Sequence, residues 1–181
     1  TVINRVYGGS DVSGNIGIGT YKNTEGEEIT TNTYVRITES PEEGTAYSGF
    51  PFIGELYAGG NGKASGVNEQ HPDVDMTYLD IAGGTLLDVY GGANNSHVRK
   101  ATNILVNYKD SEAIAKTDLI PAVQKIIRGQ EVKYNINRLF GGNNQMDMTI
   151  QPEWQLKKGS IGSVYGGCNK SDAVIYNEDG H

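Results

Sequence analysis

Five aromatic residues at matched positions, Tyr7, Tyr57, Tyr90, Phe140 and Tyr165, are the part of this sequence with the most chemistry to offer. Each closes a short stretch with aliphatic residues and is followed by small residues and glycine. If the aliphatic residue before each ring points inward, strand alternation sends the ring outward. A flat outward column of rings would stack on sugar rings, which makes these five residues the ligand-binding candidates. The competing reading is an internal or corner stack that locks register, and Phe140 favours it because it brings no hydroxyl to a wet surface. The second set is acidic: Asp73, Asp75, Asp80, Asp88, Asp172, Glu178 and Asp179. General acid–base chemistry on a glycan needs two carboxyl groups held across one bond. Asp80 and Asp88 fall on different expected strands, and the scatter of the rest fits a solvated surface.

Asp73 and Asp75 carry the hard oxygen atoms that suit calcium. The nine-residue calcium repeat is excluded, because Gly59-Gly60-Asn61-Gly62-Lys63-Ala64 has alanine where that motif needs aspartate. His71, His97, His181 and the single Cys168 lack zinc-type spacing. There is no nucleophile elbow, phosphate loop, dinucleotide fingerprint or H-E-x-x-H. The sequence therefore assigns no catalytic residue, and no cofactor other than calcium is considered.

The elements that carry these residues repeat. Ile3–Gly9, Ile53–Gly60, Leu86–Gly92, Ile136–Gly142 and Ile161–Gly167 share one formula: aliphatic, two variable residues, aliphatic, aromatic, small, glycine. The copy at Tyr57 reads as having one extra small residue. Successive aromatics are 50, 33, 50 and 25 residues apart. That fits a period near 25 with a doubled unit or insertion in each longer interval, the mark of a stacked array. The pairs Gly8/Gly9, Gly59/Gly60, Gly91/Gly92, Gly141/Gly142 and Gly166/Gly167 are expected at corners, with positive φ at one member of each. Five copies also favour corners over a phosphate cradle.

Between copies lie second strand-like runs: Tyr34–Thr38, Met76–Ile81, Asn103–Tyr108, Met146–Ile150 and Ala173–Tyr176. Several alternate with period two. A unit of two short strands cannot bury its apolar face alone. Stacking would align Val6, Leu56, Val89, Leu139 and Val164 inside, and Asn94-Asn95 with Asn143-Asn144 as an amide ladder. The expected fold is all-β, a parallel β-solenoid of the right-handed β-helix type, with a sandwich of β-hairpins as the alternative. Ser111–Gly129 alone carries helix signals: Thr117 or Asp118 as N-cap, Pro121 in the first turn and Gly129 as a stop. It reads as a helical insertion over 111–129. The loops Lys22–Thr33 and Glu39–Phe52 read as polar projections. Residues 1–181 make one repeat domain, read as a segment of a longer protein.

Net charge is −7 and the isoelectric point about 4.9, with no cluster of Lys and Arg. Nucleic acid is thereby excluded as an expected partner. No stretch approaches the roughly 18 apolar residues of a membrane helix. Glycine is abundant, and Tyr 11 against Phe 3 suits strands with wet edges. Cys168 occupies the slot of Ser10, Gly60, Ala93 and Asn143, so it reads as a small filler.

The run "FGGNN…MTIQPEW…LKKGSIGSVYGGCNK" resembles a Gly-Gly-Asn repeat of adhesin-like, β-helical surface proteins of Bacteroides-type bacteria. The resemblance is good over Ile136–Asn177 and looser elsewhere. It implies extracellular or cell-surface display and no known activity, and transfers no catalytic residue. Glycans or other surface proteins are the expected partners of such a module. Three functions follow as expectations: a non-catalytic surface module that binds glycan or acts as a stalk, a polysaccharide lyase or hydrolase of β-helix type, and a segment that self-assembles through open solenoid ends.

Overall fold

A computed structural model of the chain describes residues 2–38, 51–62, 72–108 and 134–170. In order, the strands are β1 (Val2–Tyr7), β2 (Gly19–Lys22), β3 (Glu28–Thr31), β4 (Thr33–Ile37), β5 (Phe52–Tyr57), β6 (Val74–Ile81), β7 (Thr85–Tyr90), β8 (Val98–Asn107), β9 (Ile136–Phe140), β10 (Glu153–Lys158) and β11 (Ile161–Tyr165). No helix occurs among the described residues, and the helix expected over 111–129 lies outside them.

The five copies of the aromatic formula form one parallel sheet, in the order β1-β5-β7-β9-β11. A second parallel sheet has the order β10-β8-β6-β4, and β2 pairs antiparallel with β3 as a hairpin. Parallel neighbours require a long crossover, which α/β folds fill with a helix. Here each crossover carries a strand of the other sheet, so the chain alternates between the two. All pairings within the two main sheets are parallel, which rules out the alternative sandwich of β-hairpins. Each sheet is open; neither closes on itself.

Register settles the uneven spacing. Tyr7 pairs with Tyr57, Tyr57 with Tyr90, Tyr90 with Phe140 and Phe140 with Tyr165. Each 50-residue interval therefore joins two neighbouring strands of the sheet, and no unit is doubled. The first interval includes the hairpin β2–β3, where a projecting loop was expected. Its turn is built by Asn23, whose Oδ1 accepts the N–H groups of Glu25 and Glu27 at 3.0 and 2.9 Å. Gly26 follows at φ 85°, a conformation that favours glycine.

One apolar cluster is shared by the two sheets. Ile53, Leu56, Leu86, Val89, Ile136 and Leu139 meet Val35, Ile37, Leu79, Ile81, Ile104 and Val106. The expected inward column is present, with Leu56, Val89 and Leu139 fully buried. Each such side chain contributes roughly 1.5–3 kcal/mol of burial. Val164 in the last strand of the sheet remains 44% exposed. The fourth second-sheet strand differs from expectation. It is β10 rather than Met146–Ile150, where only Met148 makes a bridge. Trp154 and Leu156 pair in register with Ile104 and Val106, so β10 continues the inward rows despite its many polar residues. The run Ala173–Tyr176 lies outside the described residues.

The glycine pairs do end the strands, but not for the expected reason. Positive φ is found at Gly14, Gly26, Gly62, Gly84 and Gly159, and at none of the ten paired glycines. Beyond each aromatic the chain keeps bonding to the coil beside it: Gly8 to Tyr57, Gly91 to Phe140 and Gly141 to Tyr165, at 2.8–2.9 Å. A Cβ on Gly8 would meet Val35 Cγ2 at 2.5 Å, and one on Gly91 would meet Ile104 Cδ1 at 2.7 Å. At Gly8 and Gly91 a side chain has no room, because backbone there approaches both the neighbouring strand and the opposite sheet. The copy at Tyr57 has no extra residue. Ala58 donates to Tyr90 like the first glycine of a pair, Gly59 is the second, and Gly60 takes the slot of Ser10 and Ala93.

Candidate functional site

On the outer face of the first sheet the five expected aromatics form one continuous stack. Ring centroids are 4.9, 4.6, 4.9 and 4.7 Å apart from Tyr7 through Tyr165, and interplanar angles do not exceed 12°. Tyr57 and Tyr90 are 1% exposed and Phe140 3%. Both faces of these three rings are covered by neighbouring rings, which corrects the expectation that they offer faces to sugar. Only Tyr7, half-buried, and Tyr165, 45% exposed, stand at the ends.

The residue four places after each aromatic covers the stack. Asn61 donates to Asp11 Oδ1 at 2.7 Å, Asn94 to Asn61 at 2.7 Å, Asn144 to Asn94 at 2.8 Å and Asn169 to Asn144 at 2.9 Å. The same amides reach the phenols: Asn144 donates to Tyr57 and Asn169 to Tyr90, at 3.3 and 3.2 Å. Asn94 and Asn144 were legible as rungs; Asp11, Asn61 and Asn169 were missed, though the fixed offset from the aromatic marks them. Asn143 instead closes the corner, its Oδ1 accepting Ala93 N–H at 2.8 Å.

Burial, first of all, raises the phenol pKa values of Tyr7, Tyr34, Tyr57 and Tyr78 above the ordinary value. The neutral phenol is therefore the form that folding favours. Its contribution is complete below pH of about 10 and is lost as pH rises through the folded values. Tyrosinate absorbance at 295 nm is expected to lag free tyrosine and then rise together with loss of the β-sheet circular dichroism signal. Smooth titration of all phenols near pH 10 with the fold intact would contradict this.

Several of the described charged residues are engaged in pairs. Arg5, Glu55, Asp88 and Arg138 lie in register across β1, β5, β7 and β9. Arg138 grips Asp88 with two bonds of 2.7 Å, and Arg5 pairs with Glu55. Hydrogen bonding to Glu55 and to Asp88 is the leading cause that raises the guanidinium pKa values of Arg5 and Arg138, respectively. Asp80 lies in the other sheet and is fully buried. It accepts from Thr24 N–H at 2.7 Å, Thr24 Oγ1 at 2.6 Å, Tyr34 hydroxyl at 2.5 Å and Arg36 Nε at 3.3 Å. Asp80 and Asp88 thus sit in different sheets, each held by its own partners, and do not face one bond as an acid–base pair.

Asp73 pairs with Arg99 at 3.0 Å and accepts His97 N–H at 2.9 Å, while Asp75 pairs with Lys100 at 2.7 Å. Among the described residues no group of three or more His, Cys, Asp or Glu could hold a metal ion, so Asp73 and Asp75 gain no third ligand there. His71, Asp172, Glu178, Asp179 and His181 lie outside the described residues.

A second aromatic row, missed in the sequence, lies on the outer face of the second sheet. Tyr21 of the hairpin stacks on Tyr34 at 5.0 Å, and Tyr34 on Tyr78 at 5.8 Å. The next residues in register are Asn103 and then Glu153, so the row of rings stops at Tyr78. A cavity of about 320 Å³ lies there, lined by Tyr78, Asn103, Ile104, Glu153, Trp154 and Gln155. It offers aromatic surface, two amides and one carboxylate, and no nucleophile with an adjacent base. No family model, no curated protein and no solved structure matches the chain.

Proposed function

We propose that the chain is a non-catalytic module of a secreted or cell-surface protein, a parallel β-solenoid whose stacked coils form a rigid presenting element. The observation that carries this reading is the side-chain row Asp11–Asn61–Asn94–Asn144–Asn169 lying over the ring stack. The distinctive residues of every coil are used to hold the next coil, and a catalytic site instead needs one locally unique cluster. A right-handed wind is proposed on the general rule for crossovers between parallel strands. The acidic charge and the resemblance of Ile136–Asn177 to adhesin-like repeats support display outside the cell.

The test is antibody labelling of intact and permeabilised cells of the source organism, joined to incubation of the protein with pectin, polygalacturonate and mucin glycans, with and without calcium. Labelling of intact cells and no release of unsaturated or reducing-end products is the expected result. Labelling only after permeabilisation overturns the display reading. Products that vanish on Asp80→Asn or Asp88→Asn overturn the non-catalytic one.

A further inference from the structure

We propose that Asn61 is a site of spontaneous self-modification: its side-chain amide converts to aspartate or isoaspartate when the Ser10–Asp11 segment lifts away, and the new carboxylate holds that segment off. The inference goes beyond the display reading and stands on the chemistry of one dipeptide.

Asn61-Gly62 is the sole Asn-Gly pair in the sequence. The other amides of the row, Asn94, Asn144 and Asn169, are followed by Asn95, Gln145 and Lys170, whose side chains crowd the next backbone nitrogen. Glycine at 62 has a structural cause. Its φ is 71°, and a Cβ there would collide with the Asn95 carbonyl oxygen. The coil thus needs an amide at 61 to carry the row and a glycine at 62 to turn, and together they make a reactive pair. The Gly62 nitrogen attacks Asn61 Cγ, a C–N bond forms, and ammonia leaves carrying the Gly62 proton. Water then opens the resulting cyclic succinimide at either carbonyl, giving aspartate or isoaspartate. Nothing is oxidised or reduced, and water is the one co-reactant.

The folded chain holds both reacting groups in other bonds. Gly62 N–H donates to the Asp11 carbonyl at 2.8 Å and Asn61 N–H to the Ser10 carbonyl at 3.0 Å. The Asn61 side chain donates to Asp11 Oδ1 and accepts from Asn94, each at 2.7 Å. Three of these four bonds end on Ser10 or Asp11, so reaction needs only that segment to lift. It follows β1, an edge strand whose Val2 is 51% exposed, and lightly packed edges open most readily.

After conversion residue 61 has no N–H for Asp11. Two carboxylates then face each other where the folded chain has a bond, and like charges in contact repel. Isoaspartate also adds a backbone methylene, which moves the Gly62 N–H off the Asp11 carbonyl. Asn94 still has an oxygen to donate to, so the second coil stays fastened to the third.

The full chain, held at mildly alkaline pH either folded or in concentrated urea, tests this by peptide mass spectrometry of acid formed at each asparagine. In urea Asn61 is expected to convert about ten-fold faster than Asn94, Asn144 or Asn169, because only its neighbour lacks a side chain. In the folded chain its conversion should slow about ten- to a hundred-fold, following the population of the opened edge. Hydrogen exchange of the converted chain should show lost protection at Gly8, Gly9 and Gly62, whose N–H groups bond between the first two coils, with β7 unchanged. Asn61→Asp should reproduce that loss in fresh protein, and Asn61→Ala, which removes the amide without adding charge, should lose less. The aged parent chain keeps the test decisive if Asn61→Asp does not fold. The proposal is overturned if Asn61 converts no faster than the other three in urea, or as fast folded as unfolded. It is equally overturned if the aged chain and Asn61→Asp protect Gly8 and Gly9 as the parent does, or if Asn61→Ala loosens the first coil as much as Asn61→Asp.

Discussion

Gly91→Val is expected to cost about 3 kcal/mol or more, the upper range for overpacking a tight site, while Gly166→Val at the same place in the repeat leaves stability within about 0.5 kcal/mol. The two glycines are equivalent in the formula and differ in surroundings. A Cβ on Gly91 would lie 2.6 Å from the carbonyl oxygen of Gly141 and 2.7 Å from Ile104 Cδ1. The side chain of Ile104 can give way, but the Gly141 carbonyl cannot, because it accepts the Thr102 hydroxyl at 3.1 Å and belongs to the next coil. Gly166 meets no atom within 4 Å among the described residues. Neither glycine has positive φ, so backbone strain plays no part. Urea unfolding of the two variants beside the parent gives the comparison. Equal destabilisation would show that the pair acts through the chain's own conformation rather than through close approach.

Asp80→Ala is expected to release the β2–β3 hairpin from the second sheet and to cost about 2–4 kcal/mol, the scale of losing several bonds to a buried charged group. The carboxylate ties Thr24 at the hairpin turn to Tyr34 and Arg36 on β4. Arg36 contributes the least to this figure, since its side chain is 39% exposed and regains water. Hydrogen exchange resolves the effect by region. Amides of residues 20–31 should exchange much faster in the variant, while those of β7, in the middle of the first sheet, keep their protection. Unchanged exchange over the hairpin would mean that its other ties hold it without Asp80: Tyr21 stacked on Tyr34, the Lys22 carbonyl accepting from Tyr34 and Arg36, and Glu25 paired with Lys157. Asp80→Asn, which keeps the shape and part of the bonding, should lie between the two.

The first sheet was legible because every one of its strands spells the same formula, and matching letters give register directly. Val6, Leu56, Val89, Leu139 and Val164 could be aligned by eye. Which way a ring finally faces was less legible. The rings do leave the apolar cluster, yet asparagines four residues further on bury them, and alternation says nothing of what lies over a strand. β10 was missed because Glu153, Gln155, Lys157 and Lys158 outweigh Trp154 and Leu156 in composition, while Met146–Ile150 alternates more visibly. The cavity depends on Asn103 standing where Tyr34 and Tyr78 have rings. That juxtaposition exists only once β4, β6 and β8 are in register. Asp80 meets Thr24 across 56 residues, a distance at which one sequence carries no signal.

The row of amides has a direction. Each side chain from Asn61 to Asn169 gives its N–H to the residue one coil earlier, and the row starts at a carboxylate, Asp11, which can only accept. A reversal at any rung would bring two N–H groups together on one side and two oxygens on the other. The row therefore works like a ratchet: it admits one orientation of each amide and so fixes how every repeat sits on the one before it.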